Sequence, residues 1–302
     1  MKRTELGLQT TYYFFIGGKM QHTLKESVTI EGIGLHSGCK SVLKLEPAPE
    51  NYGIQFVRTD LKDPIPIRAL YSNVVDLRNC TCIGTSSENI VSTIEHLMAV
   101  LYILGIDNAK ISVNNPEVPI LDGSGKIFLD ILQKAKLIEQ TKPRKILKVK
   151  KEINFTDDKG ASVTLLPNDN LHICFDIEFP SKIVGHQQFD KDITLDAFTK
   201  EIAPCRTFCE KYQVDYLKSI GLIKGGSLEN AVVLDGETLL NPEGFRVKNE
   251  CVNHKVMDAI GDLYTSGYYI LTKVVANKSG HYHNNEILKK LFSDKDNYEI
   301  ID

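Results

Sequence analysis

No stretch of this chain approaches the roughly 18 apolar residues that a membrane-spanning helix needs, so no transmembrane segment is predicted. An excess of one charge is lacking as well. With 36 Lys and Arg against 39 Asp and Glu, the formal charge is -3, and no global field recruits nucleic acid or an acidic membrane surface. No basic stripe interleaved with aromatics is found, which argues against RNA binding. The seven cysteines are odd in number and form no disulfide-like framework, and the closest pair, Cys80-Thr81-Cys82, lacks CxxC spacing. A reducing cytoplasm is therefore the expected location, with the thiols buried or lining a pocket. The HExxH signature is missing, so the zincin mechanism cannot be borrowed. Residues 1–19 hold a short aromatic run from Tyr12 to Phe15, but a secretory signal needs a longer apolar core, and Glu5 opposes one. They are read as an N-terminal extension and set aside from the fold.

What is present describes an ordinary soluble globular chain, 42% hydrophobic and 25% charged. Its 302 residues suffice for two domains of about 150 each. Alternating patterns at 28–30, 41–45 and 53–57 predict antiparallel strands, interrupted by the glycines of Gly32-Ile33-Gly34-Leu35-His36-Ser37-Gly38. A helix is expected from Ser92 or Thr93 through Leu104, stopped near Gly105, then a strand at 109–113 and a helix at 128–138. The polar, proline-bearing segment 140–144 reads as a linker, after which the pattern starts over. Strands are expected at 145–155, 161–167, 171–178, 231–234 and 269–276. Helices are expected near 195–202 and at 213–220, 250–267 and 284–292, with an acidic, solvated tail from 293. The predicted fold class is α+β, with residues 20–142 and 143–302 as two similarly built domains.

One helix carries a distinctive stripe. His254, Asp258 and Asp262 recur every four residues and so share a face, while Val252, Val256, Ala259, Ile260 and Leu263 face a core. An HxxxD pair can hold a divalent metal through one nitrogen and one oxygen. A second segment, Ser92-Thr93-Ile94-Glu95-His96, sets another imidazole beside a carboxylate. Two imidazoles, a ligand carboxylate and a spare carboxylate are what a catalytic zinc site requires, so hydrolysis is the leading reading. By spacing alone such a stripe is more often a solvated helix face than a metal site.

Taken together, the motifs resemble the UDP-3-O-acyl-N-acetylglucosamine deacetylase family, the zinc amidases of lipid A synthesis. The resemblance runs from Gln21 to about Phe292. It includes Gly32 to Gly38, Phe56 to Asp60, Ser92 to Met98, Pro116 to Ser124, Arg206-Thr207-Phe208, Gly225 to Asn230, His254 to Asp262 and Lys278 to His281. It implies antiparallel sheets packed on helices in each domain, helical layers facing one another, and an active site between the domains. An insert over 181–210 would border an apolar passage for an acyl chain.

The resemblance further implies His96, His254 and Asp258 as ligands of one catalytic Zn2+, for which Fe2+ could substitute. Glu95 would be the general base and His281 the acid and oxyanion partner, oriented by Asp262. Thr207 would steady the tetrahedral intermediate. Substrate contacts would come from Lys255, Phe208 and Cys80, with Leu35 and His36 at the rim of the passage. His283 has no implied role and is expected at the surface. The implied partner is the acylated UDP-sugar, with a monomer expected. Two departures stand out: Cys209-Glu210 follows Phe208 where glycine and a bulky apolar residue are commoner, and Asn253 replaces an arginine. Rival readings are an amidase for another acylated amino sugar and a non-catalytic nucleotide-lipid binder.

Overall fold

The computed structural model describes residues 18–301, so the fold of most of the N-terminal extension lies outside it. Among the described residues there are six α-helices: α1 (Glu95–Leu104), α2 (Lys126–Lys134), α3 (Leu195–Ala197), α4 (Lys211–Ser219), α5 (Glu250–Tyr264) and α6 (His281–Phe292). They combine with several sheets in a mixed α+β fold.

Two large sheets share one strand order. In the first, Val28–Ile33 pairs antiparallel with Lys40–Pro47, which pairs antiparallel with Ala109–Val113. Ala109–Val113 then runs parallel to Ile54–Arg58, which pairs antiparallel with Ile67–Arg68. In the second, Ile153–Thr156 pairs with Ser162–Leu166, and that strand pairs antiparallel with Tyr269–Asn277. Tyr269–Asn277 runs parallel to Leu171–Glu178, which pairs antiparallel with His186–Asp192. In both, the strand that follows the long buried helix inserts between two earlier hairpins. The sheets are mixed, where the sequence pattern predicts antiparallel pairing throughout. Alternation reports which face is buried, not which neighbour a strand chooses.

Helix α1 packs on α5, which also lies against strands Leu171–Glu178, His186–Asp192 and Tyr269–Asn277 of the second sheet. Helix α1 is apolar on all sides, and its residues from Glu95 to Ile103 are buried, as expected of a helix covered by protein on every face. Gly105, at φ 76°, accepts the left-handed turn that ends it. Gly261 of α5 faces α1 so closely that a Cβ there would collide with the Glu95 carbonyl. Glycine costs about 1 kcal/mol against alanine inside a helix, and here it permits the approach of two backbones.

Three sequence expectations are corrected. Helix α2 ends at Lys134, and Lys136 turns the chain at φ 56°. The supposed linker is then part of a strand, Leu137–Pro143, paired antiparallel with Met20–Leu24. Its polar side chains hide the signal because much of the strand is solvent-exposed. The acidic tail also ends in a strand, Tyr298–Ile301, on Ile146–Val149. Within residues 181–210, His186–Asp192 belongs to the large sheet, and Phe208–Glu210 starts a small three-stranded sheet with Val232–Asp235 and Thr238–Leu239.

Candidate metal and catalytic site

The site is built where the start of α1 meets the stripe on α5. The chain enters α1 through Thr93, whose φ of 59° is left-handed, a costly conformation for a β-branched residue. That turn sets Glu95 and His96 at the helix start. Both are buried, as are His254, Asp258 and Asp262, so the solvated-face reading of the stripe is excluded.

His96 Nε2 stands 3.5 Å from Asp258 Oδ1, and His254 Nε2 stands 3.4 Å from the same oxygen. The two rings meet edge to face at 4.9 Å. One donor atom from each of the three residues falls within a 4.8 Å cluster. Donors of a tetrahedral zinc centre with bonds of about 2.0–2.1 Å stand roughly 3.3–3.4 Å apart, close to both measured edges. Asp258 Oδ1 is buried without a hydrogen-bond partner. Such an orphaned oxygen costs free energy that a cation would recover. Residues and geometry therefore fit a divalent metal.

Second contacts support that fit. His254 Nδ1 lies 3.1 Å from the Cys205 carbonyl, which can only accept, so Nδ1 carries the proton and Nε2 keeps its lone pair. Burial lowers the His254 pKa to about 4, against the pull of Asp258, so the ring is neutral at pH 7. Burial works the same way on His96, but the neighbouring Asp258 carboxylate outweighs it and raises that ring. Burial opposes the charge on Asp258 too, yet His254 and Lys255 hold its carboxyl well below the usual range.

Beside this cluster lies an acid–base pair. His281 Nδ1 donates to Asp262 Oδ2 at 2.8 Å, leaving His281 Nε2 3.9 Å from Glu95 Oε1. Burial disfavours the imidazolium, but Asp262, Glu95 and Asp258 outweigh it and raise His281 to about 9. Burial raises Glu95, with His281 and His96 resisting. A protonated imidazole thus faces a buried carboxylate, each able to move a proton.

Of the remaining residues singled out in sequence, Lys255 Nζ lies 3.4 Å from Asp258 Oδ2, and the Phe208 ring meets His254 edge-on at 6.3 Å. Cys80 is buried near Glu95; burial first, then that charge, lifts its thiol well above the usual range. Thr207 is half-buried, its backbone held by Gly123 and Val232. Leu35 and His36 sit apart, on a loop whose carbonyls accept from Gly225 and Lys224. His283 is buried rather than at the surface, with Nε2 3.2 Å from Asp157. Cys39 is the exposed exception to the expectation for the thiols.

Two contributors escaped sequence reasoning. Thr81 donates its hydroxyl to Asp262 Oδ1 at 2.5 Å and its N–H to Glu95 Oε2 at 3.0 Å. Asn284 donates to Asp262 Oδ2 at 2.9 Å. Asp262 is thereby fixed by three donors.

Comparison with known proteins agrees with this geometry. Residues 21–293 match the family described as UDP-3-O-acyl N-acetylglycosamine deacetylase. The chain belongs to that deacetylase family. The UDP-3-O-acyl-N-acetylglucosamine deacetylase of Aliarcobacter butzleri is 42% identical over 282 residues, 93% of each chain. The Myxococcus xanthus enzyme of that name is 42% identical over 93% of this chain and 89% of its own. The Haemophilus ducreyi one is 42% identical over 93% and 92%. Within this deacetylase-family chain, no helix among the described residues is long and apolar enough to cross a membrane.

Proposed function

We propose that this chain hydrolyses the N-acetyl group of UDP-3-O-(3-hydroxyacyl)-N-acetylglucosamine, releasing acetate at the committed step of lipid A biosynthesis. Family membership supports the substrate class. The observation that carries the chemistry is the convergence of His96, His254 and Asp258 beside the Glu95 and His281–Asp262 pair. Zn2+ is the proposed ion, held by those three residues; Fe2+ suits the same donors. When bound, it supplies Lewis acidity, which polarises the amide and makes water a competent nucleophile near neutral pH.

The chain's own groups do the rest. Glu95 takes a proton from the attacking water. His281, charged through Asp262, faces the developing oxyanion and gives its proton to the amine as the C–N bond breaks. Thr207 assists at the oxyanion. Lys255, Phe208 and Cys80 contact the substrate, and Leu35 and His36 border its acyl chain. We further propose two domains, 20–142 and 143–302, with the site between them, and a cytoplasmic monomer. The shared strand order of the two large sheets supports the division.

The test is acetate release from the acylated UDP-sugar by metal-stripped protein, before and after stoichiometric zinc. Activity that vanishes and returns is expected. Tight zinc binding without acetate release would instead favour another amide substrate or a binding protein, and Fe2+ restoration would compare the two ions.

A further inference from the structure

Glu117 is among the buried carboxylates that the mechanism leaves unused. Glu117 is 1% exposed, yet its carboxylate meets neutral donors: His36 N–H at 2.8 Å, Ser37 N–H at 2.8 Å and Thr93 Oγ1 at 3.1 Å. Its backbone lies beside Ser92 in a parallel bridge, with Ser92 N–H on Pro116 and Val118 N–H on Ser92. Ser41 donates to its carbonyl at 2.8 Å. The space is so tight that a Cβ on Gly34 would collide with this carboxylate. One side chain therefore fastens the loop of Gly34 to Gly38 to Thr93, the left-handed residue that turns the chain into Glu95 and His96.

We infer that Glu117 is a positioning residue for the reaction, clamping that loop onto the turn so that Glu95 and His96 are set for their partners on α5. This rests on the deacetylase reading. Two independent features carry it: a desolvated charge given three donors, none of them cationic, and a strained turn that needs an outside hold. A bystander acid at this depth would instead cost stability with nothing in return.

The test compares wild type with Glu117→Gln and Gly34→Ala. The first turns part of the acceptor into a donor, and the second leaves the carboxylate but pushes the loop away. Measured are kcat per zinc-loaded chain, KM, and the rate at which a chelator strips zinc from the holoprotein. Both variants are expected to lose about 10- to 100-fold in kcat, as small misplacements of catalytic groups do, and to release zinc roughly 10-fold faster. The double variant should fall no further than the worse single one, since both break the same link. Unchanged kcat per loaded chain and unchanged zinc release, with losses confined to KM or yield, would overturn the inference. Should Glu117→Gln fail to fold, Gly34→Ala decides. A wild type that releases no acetate sinks the deacetylase reading instead, while the chelator rates still test the clamp.

Discussion

The two large sheets have one strand order, yet the helices that precede their inserted strands serve the site in opposite ways. Helix α1 uses its end: Glu95 and His96 occupy the first turn, entered through a strained residue. Helix α5 uses its side, with His254, Asp258 and Asp262 stacked along one stripe. An end offers two adjacent groups pointing in different directions, suited to a ligand and a base with separate tasks. A stripe offers groups in line, suited to ligands and an orienting acid at graded depths. A similar architecture thus supplies complementary halves of one centre, and neither holds the His96, His254 and Asp258 cluster alone.

Removing the contribution of α1 to that cluster breaks the comparison most severely. His96→Ala should lower zinc content well below one per chain and cut turnover by more than about 10³-fold, read by elemental analysis and acetate release. A variant that kept both would show that α5 binds the ion unaided. The neighbouring Glu95→Ala should keep the metal and lose about 10²- to 10⁴-fold in kcat. Near-normal turnover would end its assignment as base.

Helical spacing made the stripe on α5 legible in the sequence but did not separate it from a solvated face; the family resemblance singled out both it and the Glu95-His96 pair as a site. The contributions of Thr81, Asn284 and Gly261 were not legible. Thr81 reaches Asp262 across 181 positions of chain, and no local pattern marks that meeting. Nothing local in the sequence explains Gly261, whose reason is the close approach of α1. Core strands announced themselves by alternation, whereas Leu137–Pro143 is largely polar and exposed, and Tyr298–Ile301 is four residues long without alternating burial. The parallel pairings depend on which hairpin a returning strand enters, a choice made by packing.

Asp262→Asn sharpens the comparison by leaving the ligands alone. Asp262 is the leading favourable influence that lifts His281 to about 9 against burial. A raised histidine pKa contributes stability present in full below its unfolded value near 6.5 and lost as pH rises through about 9. Activity that needs the imidazolium should fall over the same upper range, while the acid limb follows Glu95, whose burial lifts it above the usual carboxylate range. Asp262→Asn should pull the basic limb down by at least about one pH unit and lower kcat about 10²-fold. A basic limb left in place would detach His281 from it.

Gly261→Ala tests whether close approach is what joins end to stripe. Its methyl would strike the Glu95 carbonyl, so α1 and α5 must separate. Overpacking of this kind costs about 1–3 kcal/mol. Thermal melts should show that loss, and kcat should fall by about 10- to 100-fold, because the shift lies between the base and the ligands on α5. Full activity at reduced stability would mean that the two helices tolerate a gap.

Thr81→Val carries the smallest expected effect and isolates one bond between the halves. The substitution keeps the shape and the backbone N–H that holds Glu95, but deletes the hydroxyl that donates to Asp262. Asp262 retains His281 and Asn284 as donors, so its position should loosen without failing. A loss of about 3- to 10-fold in kcat is expected, the scale of one neutral hydrogen bond worth roughly 1 kcal/mol. Zinc content should not change, since Thr81 touches neither imidazole ligand by hydrogen bond. The deciding comparison is with Thr81→Val in an Asp262→Asn background. If the hydroxyl acts through Asp262, the second loss should nearly disappear; losses that multiply would show that the hydroxyl acts independently of Asp262 and is not the bond between the end of α1 and the stripe of α5.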